Sequence, residues 1–233
     1  KVLVTGANGF TGRFVCLELS KRGIPFVALL RNKSQSAWMI KRNFLCRYAD
    51  INNFSELTKA MNGCDILLSV ASLGFGSSKT IIKACKASSI KRAIFVSTTA
   101  IFTKLNAKSK KVRIKAENDI KNSNLDWTIL RPTMIFGTPE DRNIIKLIKY
   151  LDKMPFIPVF GNGRFLQQPV FVKDVAWSIV EVINNKKTYK SEFNISGKKA
   201  ITFNYLIDQV SIGLSKSRLK IHIPLFAIIF IFK

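Results

Sequence analysis

A chain of 233 residues with 47% hydrophobic and 22% charged residues can bury a core of about one domain plus a small lobe, which excludes a disordered or collagen-like chain. Its 38 Lys and Arg against 14 Asp and Glu give a formal net charge of +24. That field attracts nucleic acid or other polyanions, although a low-GC bias toward Lys, Asn, Ile and Phe explains the same excess and is the preferred reading here.

Residues 1–5 read as a short buried strand followed by Gly6, Gly9 and Gly12. Gly6 allows a sharp turn off the strand, Gly9 lets a pyrophosphate approach the backbone, and Gly12 lets the next helix pack closely. The helix opening near Phe10 points its N–H groups and positive dipole end at the phosphates. The loop 5–12, with Asn8, Phe10 and Thr11 between the glycines, is therefore the expected dinucleotide cradle. Gly23 stops the helix, and residues 24–30 form the next strand.

At the end of that strand an NAD-specific site carries an acid for the ribose hydroxyls, whereas a base accommodates a 2′-phosphate. Arg31, with Arg13 just past the glycine loop, thus favours NADP(H), with NAD(H) as the alternative cofactor; otherwise both are surface arginines. A third strand at 44–48 leads to Asp50, placed to accept from an adenine amino group with Ile51 against the ring, or to start a turn. Asn53 or Ser55 caps a helix through Met61. Residues 65–70 are a fourth strand, followed by Ala71, small enough to lie beside a cofactor.

A helix at 79–89, a strand at 93–97 ending in Thr98-Thr99-Ala100, a helix at 111–122 and a strand at 127–130 continue the alternation. This rhythm predicts an α/β fold, a doubly wound parallel sheet of the Rossmann type, with ligands beyond the carboxyl ends of its strands. The dinucleotide-binding domain is expected over 1–137. A small C-terminal substrate lobe over 138–233, interleaved with the main domain, holds helices at 141–150, 174–184 and 203–212, extended pieces at 156–160 and 165–172, and a strand at 193–196.

The apolar stretch 221–232 is too short to span a bilayer. It reads as a core helix or strand, or as a segment for a protein partner or membrane. The four cysteines, Cys16, Cys46, Cys64 and Cys85, are widely separated and His222 is the single histidine. No metal site is therefore expected, and a reducing, cytoplasmic setting is.

With TGANGFTG at 5–12, ADI at 49–51, FVSTTA at 95–100, LDWTILRPTMIFG at 125–137 and GNGRFLQQPVFVKDVA at 161–176, nearly the whole chain resembles the short-chain dehydrogenase/reductase superfamily. The likeness is to its atypical or extended branch (epimerase/dehydratase-like, NmrA-like). In that family a Ser or Thr after the fifth strand and a Tyr-x-x-x-Lys pair on the next helix move the proton, and the lysine also holds the nicotinamide ribose.

The resemblance implies Thr99 as the hydroxyl and Lys115 as the lysine, with Pro132 and Met134 bracketing the nicotinamide. At the tyrosine position stands Lys111. Three readings remain open: Lys115, partly desolvated, acts as the base; the site binds NADP(H) without turnover; or Lys111 and Lys115 form a solvated basic face. Gln167, Gln168 and Asp174 sit where extended members close over a substrate; Asp174 is read first as ordering the strand-to-helix corner or capping the next helix, and Gln168 or Arg164 as meeting a polar ligand.

The implied activity is that of an NADP(H)-dependent oxidoreductase or epimerase, moving hydride at a carbonyl, alcohol or sugar carbon of a small molecule or sugar nucleotide. A non-catalytic NADP(H)-binding sensor or assembly subunit is the alternative. An RNA-binding protein of this fold, resting on the charge, is the third.

Overall fold

Runs of consecutive apolar residues, which strands covered on both faces require, alternate with amphipathic helices through the first part of the chain. The computed structural model describes residues 1–104, 107–141, 143–224 and 226. Its elements begin with β1 (Val2–Thr5), α1 (Phe10–Lys21), β2 (Phe26–Leu30), α2 (Ala37–Ile40), β3 (Cys46–Tyr48) and α3 (Phe54–Met61). Next come β4 (Ile66–Ser69), α4 (Ser78–Ala87), β5 (Arg92–Val96), α5 (Lys108–Lys121) and β6 (Asp126–Pro132).

The chain continues through β7 (Ile135–Phe136), α6 (Ile144–Lys153), β8 (Phe156–Phe160), β9 (Leu166–Gln167), β10 (Val170–Phe171), α7 (Val172–Glu181) and β11 (Ser191–Ile195). The last described elements are β12 (Ile201–Thr202), α8 (Phe203–Gly213) and β13 (Leu219–Ile223).

Two compact units result, Lys1–Thr133 with Val172–Ile195, and Met134–Phe171 with Ser196–Lys233. The first is a seven-stranded sheet in the order β11-β6-β5-β4-β1-β2-β3, every neighbour parallel. The doubly wound fold is thus present, and the order reverses between β1 and β4, where such sheets open a crevice at their carboxyl ends.

One face carries a continuous core in which Leu57, Met61, Ile81, Ala116 and Ile120 of α3, α4 and α5 pack on Leu3, Leu67, Phe95 and Ile129. On the other face, where Val2 and Val4 point by strand alternation, α1 and α7 pack together, burying Val15, Leu19, Val175 and Ile179. Asn53 caps α3 by accepting from the Glu56 N–H.

At the amino-terminal edge of the sheet, Arg92 is buried with no salt bridge among the described residues. It donates to the carbonyls of Asp126, Val182 and Ile183 and to the hydroxyls of Thr128 and Thr188. Burial pulls its proton affinity down to about 10, and the Tyr189 ring lies 4.2 Å from the guanidinium.

In the second unit, Leu151, Ile157, Val159 and Ile207 form a small core beneath the parallel pair β8–β13. The single strand expected over 165–172 is two short ones. Pro169, with no N–H to donate, stands between them, and β9 pairs antiparallel with β12 while β10 pairs with β7.

Helix α7 starts at Val172, two residues before the expected start, and α5 starts at Lys108, three before. Of the apolar stretch 221–232, residues 221–223 belong to β13; residues 225 and 227–232 lie outside the described residues. All four cysteines are free. No described helix is long and apolar enough to cross a membrane.

Candidate functional site

The glycine loop sits at the reversal point of the sheet. Gly6 has φ +66°, and a Cβ there would stand 2.6 Å from the Ala71 nitrogen, so the chain leaving β1 lies against the chain leaving β4. The Thr5 hydroxyl ties the same two segments, accepting from the Ala71 N–H at 3.4 Å. A Cβ on Gly12 would fall 2.0 Å from the Gly6 carbonyl oxygen, so α1 closes onto the loop only because that side chain is missing.

A Cβ on Gly9 would touch only the Gly6 oxygen, at 3.2 Å, and otherwise enter open space. Gly9 is the N-cap of α1, which has no side-chain cap and no acidic residue in its first turn. The N–H groups from Phe10 to Gly12 are therefore not met by a protein anion. The cradle fits a pyrophosphate.

Asn8 and Arg13 brace the loop, with Nε of Arg13 donating to Asn8 Oδ1 at 3.1 Å. The Arg13 guanidinium lies 5.2 Å from the Trp38 ring, on whose face Arg42 also stacks, at 3.9 Å. Trp38 belongs to α2, a short helix that the sequence did not announce.

Beside the loop, Arg31, Asp50, Ile51, Ala71 and Phe75 line a cleft of about 200 Å³. That is below the usual range for a whole ligand and suits one moiety of a larger molecule. Arg31 is exposed and, among the described residues, has no ion-pair or hydrogen-bond partner. Asp50 accepts from the Asn52 N–H at 2.9 Å through Oδ1, the turn that was the alternative for this residue.

At the carboxyl ends of β5 and β6, Thr99 donates to the Pro132 carbonyl at 3.4 Å. Ser97 Oγ is buried with no partner among the described residues. Met134 belongs to the second unit, where it lines a hollow with Ile144, Leu147 and Phe203.

Helix α5 departs from expectation. Lys111 and Lys115 are both exposed and unpaired among the described residues, so the partial burial expected for Lys115 is not found. The helix phase explains this: Ala116 and Ile120 enter the core, and at 100° per residue Lys111 and Lys115 fall on the outer side.

Arg113, partly buried, takes the inner side instead, next to the exposed Ser109. Nη1 of Arg113 donates to Ser109 Oγ at 2.9 Å, and Nη2 lies 3.3 Å from where a Gly74 Cβ would stand, in the segment after β4. The spacing of Ala116 and Ile120, both buried, is the sequence signal that fixes this phase.

In the second unit, Gly161, Arg164, Asn204 and His222 line an open hollow of about 820 Å³. His222 Nδ1 lies 3.0 Å from the Gly161 carbonyl oxygen. Gln168 donates to the Gly197 carbonyl at 2.7 Å. Gln167 lies on β9, and Asp174 lies in the first turn of α7, where a carboxylate favours the helix dipole.

Residues 6–186 match a family model described as NAD(P)H-binding. In sequence the chain is similar to the chloroplast stem-loop binding protein of 41 kDa b of Arabidopsis thaliana, 24% identical, with 88% of this chain and 61% of the relative covered. It is also similar to the mitochondrial NADH dehydrogenase (ubiquinone) 1 alpha subcomplex subunit 9 of Dictyostelium discoideum, 23% identical, with 95% and 65% covered. The chain thus spans less than two thirds of the length of either.

In structure it is similar to UDP-N-acetylglucosamine 4-epimerase from Bacillus cereus, with a TM-score of 0.80 at 16% identity over 96% of this chain and 84% of the other. UDP-glucuronic acid 4-epimerase from Bacillus cereus, solved with NAD, gives 0.80 at 19% over 96% and 87%; at such identities the likeness is one of fold. With its glycine cradle at the reversal point of the sheet, the chain belongs to the NAD(P)H-binding family.

Proposed function

We propose that the chain is an NADP(H)-binding protein that holds its cofactor without the tyrosine–lysine proton relay, as a sensor or assembly subunit does. The observation that carries the preference for NADP(H) is Arg31, an unpaired cation at the lip of the cleft lined by Asp50 and Ile51. A 2′-phosphate is the anion that such a position takes.

In this reading Gly6, Gly9 and Gly12, with the N–H groups at Phe10 and Thr11, hold the pyrophosphate, and Asn8 and Arg13 brace the loop. Ile51 and Ala71 flank the adenine, and the second Asp50 oxygen accepts from its amino group. Thr99 and Pro132 remain the candidates for the nicotinamide end.

A bound nicotinamide supplies hydride transfer, but proton movement is the protein's part, and the described residues supply no tyrosine for it on α5. Tyr189 is committed to Arg92 at the opposite edge of the sheet. Lys115 faces outward, which favours binding over turnover.

A second reading, an oxidoreductase or epimerase acting on a carbonyl compound or sugar nucleotide, draws on the unpaired Ser97 hydroxyl beside Thr99. In it the second unit is the substrate lobe, and Arg164 meets an anionic substrate.

Fluorescence titration of NADPH and NADH into the wild type and Arg31→Asp tests the first reading. NADPH binding is expected to weaken at least about tenfold, the scale of a lost charge-assisted contact, with NADH little changed. Equal losses for both overturn the 2′-phosphate assignment. Consumption of bound NADPH on adding UDP-sugars or small carbonyl compounds would replace the holding role with the second reading.

A further inference from the structure

The positive charge is not spread evenly. Residues 66–125 hold 12 Lys and Arg and only two carboxylates, Glu117 and Asp119, and the structure uses both internally. Glu117 is buried against Arg131, and Asp119 accepts from the Ser78 hydroxyl at 2.9 Å.

Helices α4 and α5 lie side by side on the sheet. On the solvent side of α4, Lys79, Lys83 and Lys86 are exposed at i, i+4 and i+7; on α5, Lys108, Lys111 and Lys115 are exposed at i, i+3 and i+7. Each row spans roughly 10 Å at 1.5 Å rise per residue. None of the six has a partner among the described residues. Elsewhere some cations meet carboxylates, Arg22 with Glu18 and Glu181, Lys216 with Asp152, Lys220 with Asp208, while α6 carries a single exposed row, Lys146, Lys149 and Lys153.

We infer that this double lysine row is a docking surface for the phosphodiester backbone of single-stranded nucleic acid. A genome-wide lysine bias explains the number of cations; what sets this face apart is that two such rows lie on adjacent helices with exposed rings near one end. A second copy of the chain does not suit the face, because two-fold packing would set six lysines against six.

A lipid surface also suits it less well. An interfacial helix lays a broad apolar face into the headgroups, whereas Ala116 and Ile120 of α5 are in the core and Val112 and Ile114 are only 37% and 38% exposed. Close to the amino ends of these helices, Phe75 and Phe102 are 66% and 59% exposed. Exposed rings beside a cationic track stack unpaired bases, which a duplex keeps hidden.

The test uses the full chain and fluorescently labelled oligouridylate and oligothymidylate of about 16 nucleotides, the upper site size of a single-strand-binding module, titrated across a salt series. Binding of either oligonucleotide at about 150 mM salt is expected. In Lys79→Gln/Lys83→Gln/Lys86→Gln, log K against log salt should become shallower by about 2, and affinity at that salt should fall at least about tenfold.

Phe102→Ala should weaken binding without changing the slope. Lys146→Gln/Lys149→Gln/Lys153→Gln, which removes as many exposed lysines from α6, should change neither quantity. No binding at about 150 mM salt, an equal loss in the α6 variant, or capture by phosphatidylserine vesicles without oligonucleotide binding would each overturn the assignment. NADPH titration of the same variants keeps this result separate from the cofactor proposal.

Discussion

Arg131, near the carboxyl end of β6, grips both carboxylate oxygens of Glu117 on α5, with Nε at 3.0 and 3.1 Å and Nη2 at 2.5 Å. The two side chains are only 6% and 4% exposed. Glu117 holds the Arg131 guanidinium protonated well above its ordinary range by hydrogen bonding, against the opposing effect of burial. This clasp fixes the helix that carries Ser109, Arg113 and both lysine candidates.

Removing Arg131 leaves the buried Glu117 carboxylate unpaired, and removing Glu117 leaves the buried Arg131 only the more exposed Glu192. Glu117→Gln or Arg131→Met should each lower stability by about 3–5 kcal/mol, while Glu117→Leu/Arg131→Met together should cost far less. Urea unfolding of the three variants measures this. Single variants within about 1 kcal/mol of wild type would mean that the pair is not buried in solution.

Glu192 extends the clasp toward solvent, with Oε2 2.9 Å from Arg131 Nη2 and in contact with Lys121. The Lys121 hydrogen bond lowers its proton affinity below the ordinary value of 4.5, against the effect of burial, and Arg131 adds to the lowering. The stabilisation is thus present above 4.5 and lost as pH falls through the lower folded-state value.

With the Glu192 side chain 38% exposed, solvent screening keeps that contribution small. The stability gap between wild type and Glu192→Gln should therefore narrow between neutral pH and about pH 3. Chemical unfolding at a series of pH values reads it, and a gap that widens on acidification contradicts the assignment.

Gly12→Ala puts a methyl group 2.0 Å from the Gly6 carbonyl oxygen and 2.8 Å from that of Ala7, neither of which can move without opening the loop. Loss of NADPH binding together with a lower unfolding temperature is expected. Gly23→Ala serves as the comparison: its Cβ has nothing within 4 Å, although its φ of +64° carries a local backbone strain of about 1 kcal/mol. Calorimetry and NADPH titration should separate the two, and retained NADPH affinity in Gly12→Ala would contradict the tight-cradle account.

The parallel sheet was legible because buried strands announce themselves as apolar runs and because Gly6, Gly9 and Gly12 have a backbone reason for their spacing. The orientation of α5 is also written in the chain, in Ala116 and Ile120; a family spacing that points to Lys115 carries no information on it, because packing sets which stripe of a helix turns inward. Trp38 was not legible: a four-residue helix has no periodicity to read, and its place beside Arg13 depends on contacts made after folding. Nor was the Glu117–Arg131 clasp, since neighbouring elements join two charges through a shared sheet face and leave no spacing rule.

The excursion of residues 134–171 between β6 and α7 also has a meaning in time. A ribosome releases α1 long before α7, so Val15 and Leu19 wait for the cover that Val175 and Ile179 provide. The β6 edge likewise stays open until Ser191–Ile195 emerges. The nascent chain thus carries an uncovered α1 face until α7 is made and a bare β6 edge until β11 follows, both adhesive surfaces, and the dinucleotide-binding unit closes only when its last strand is made.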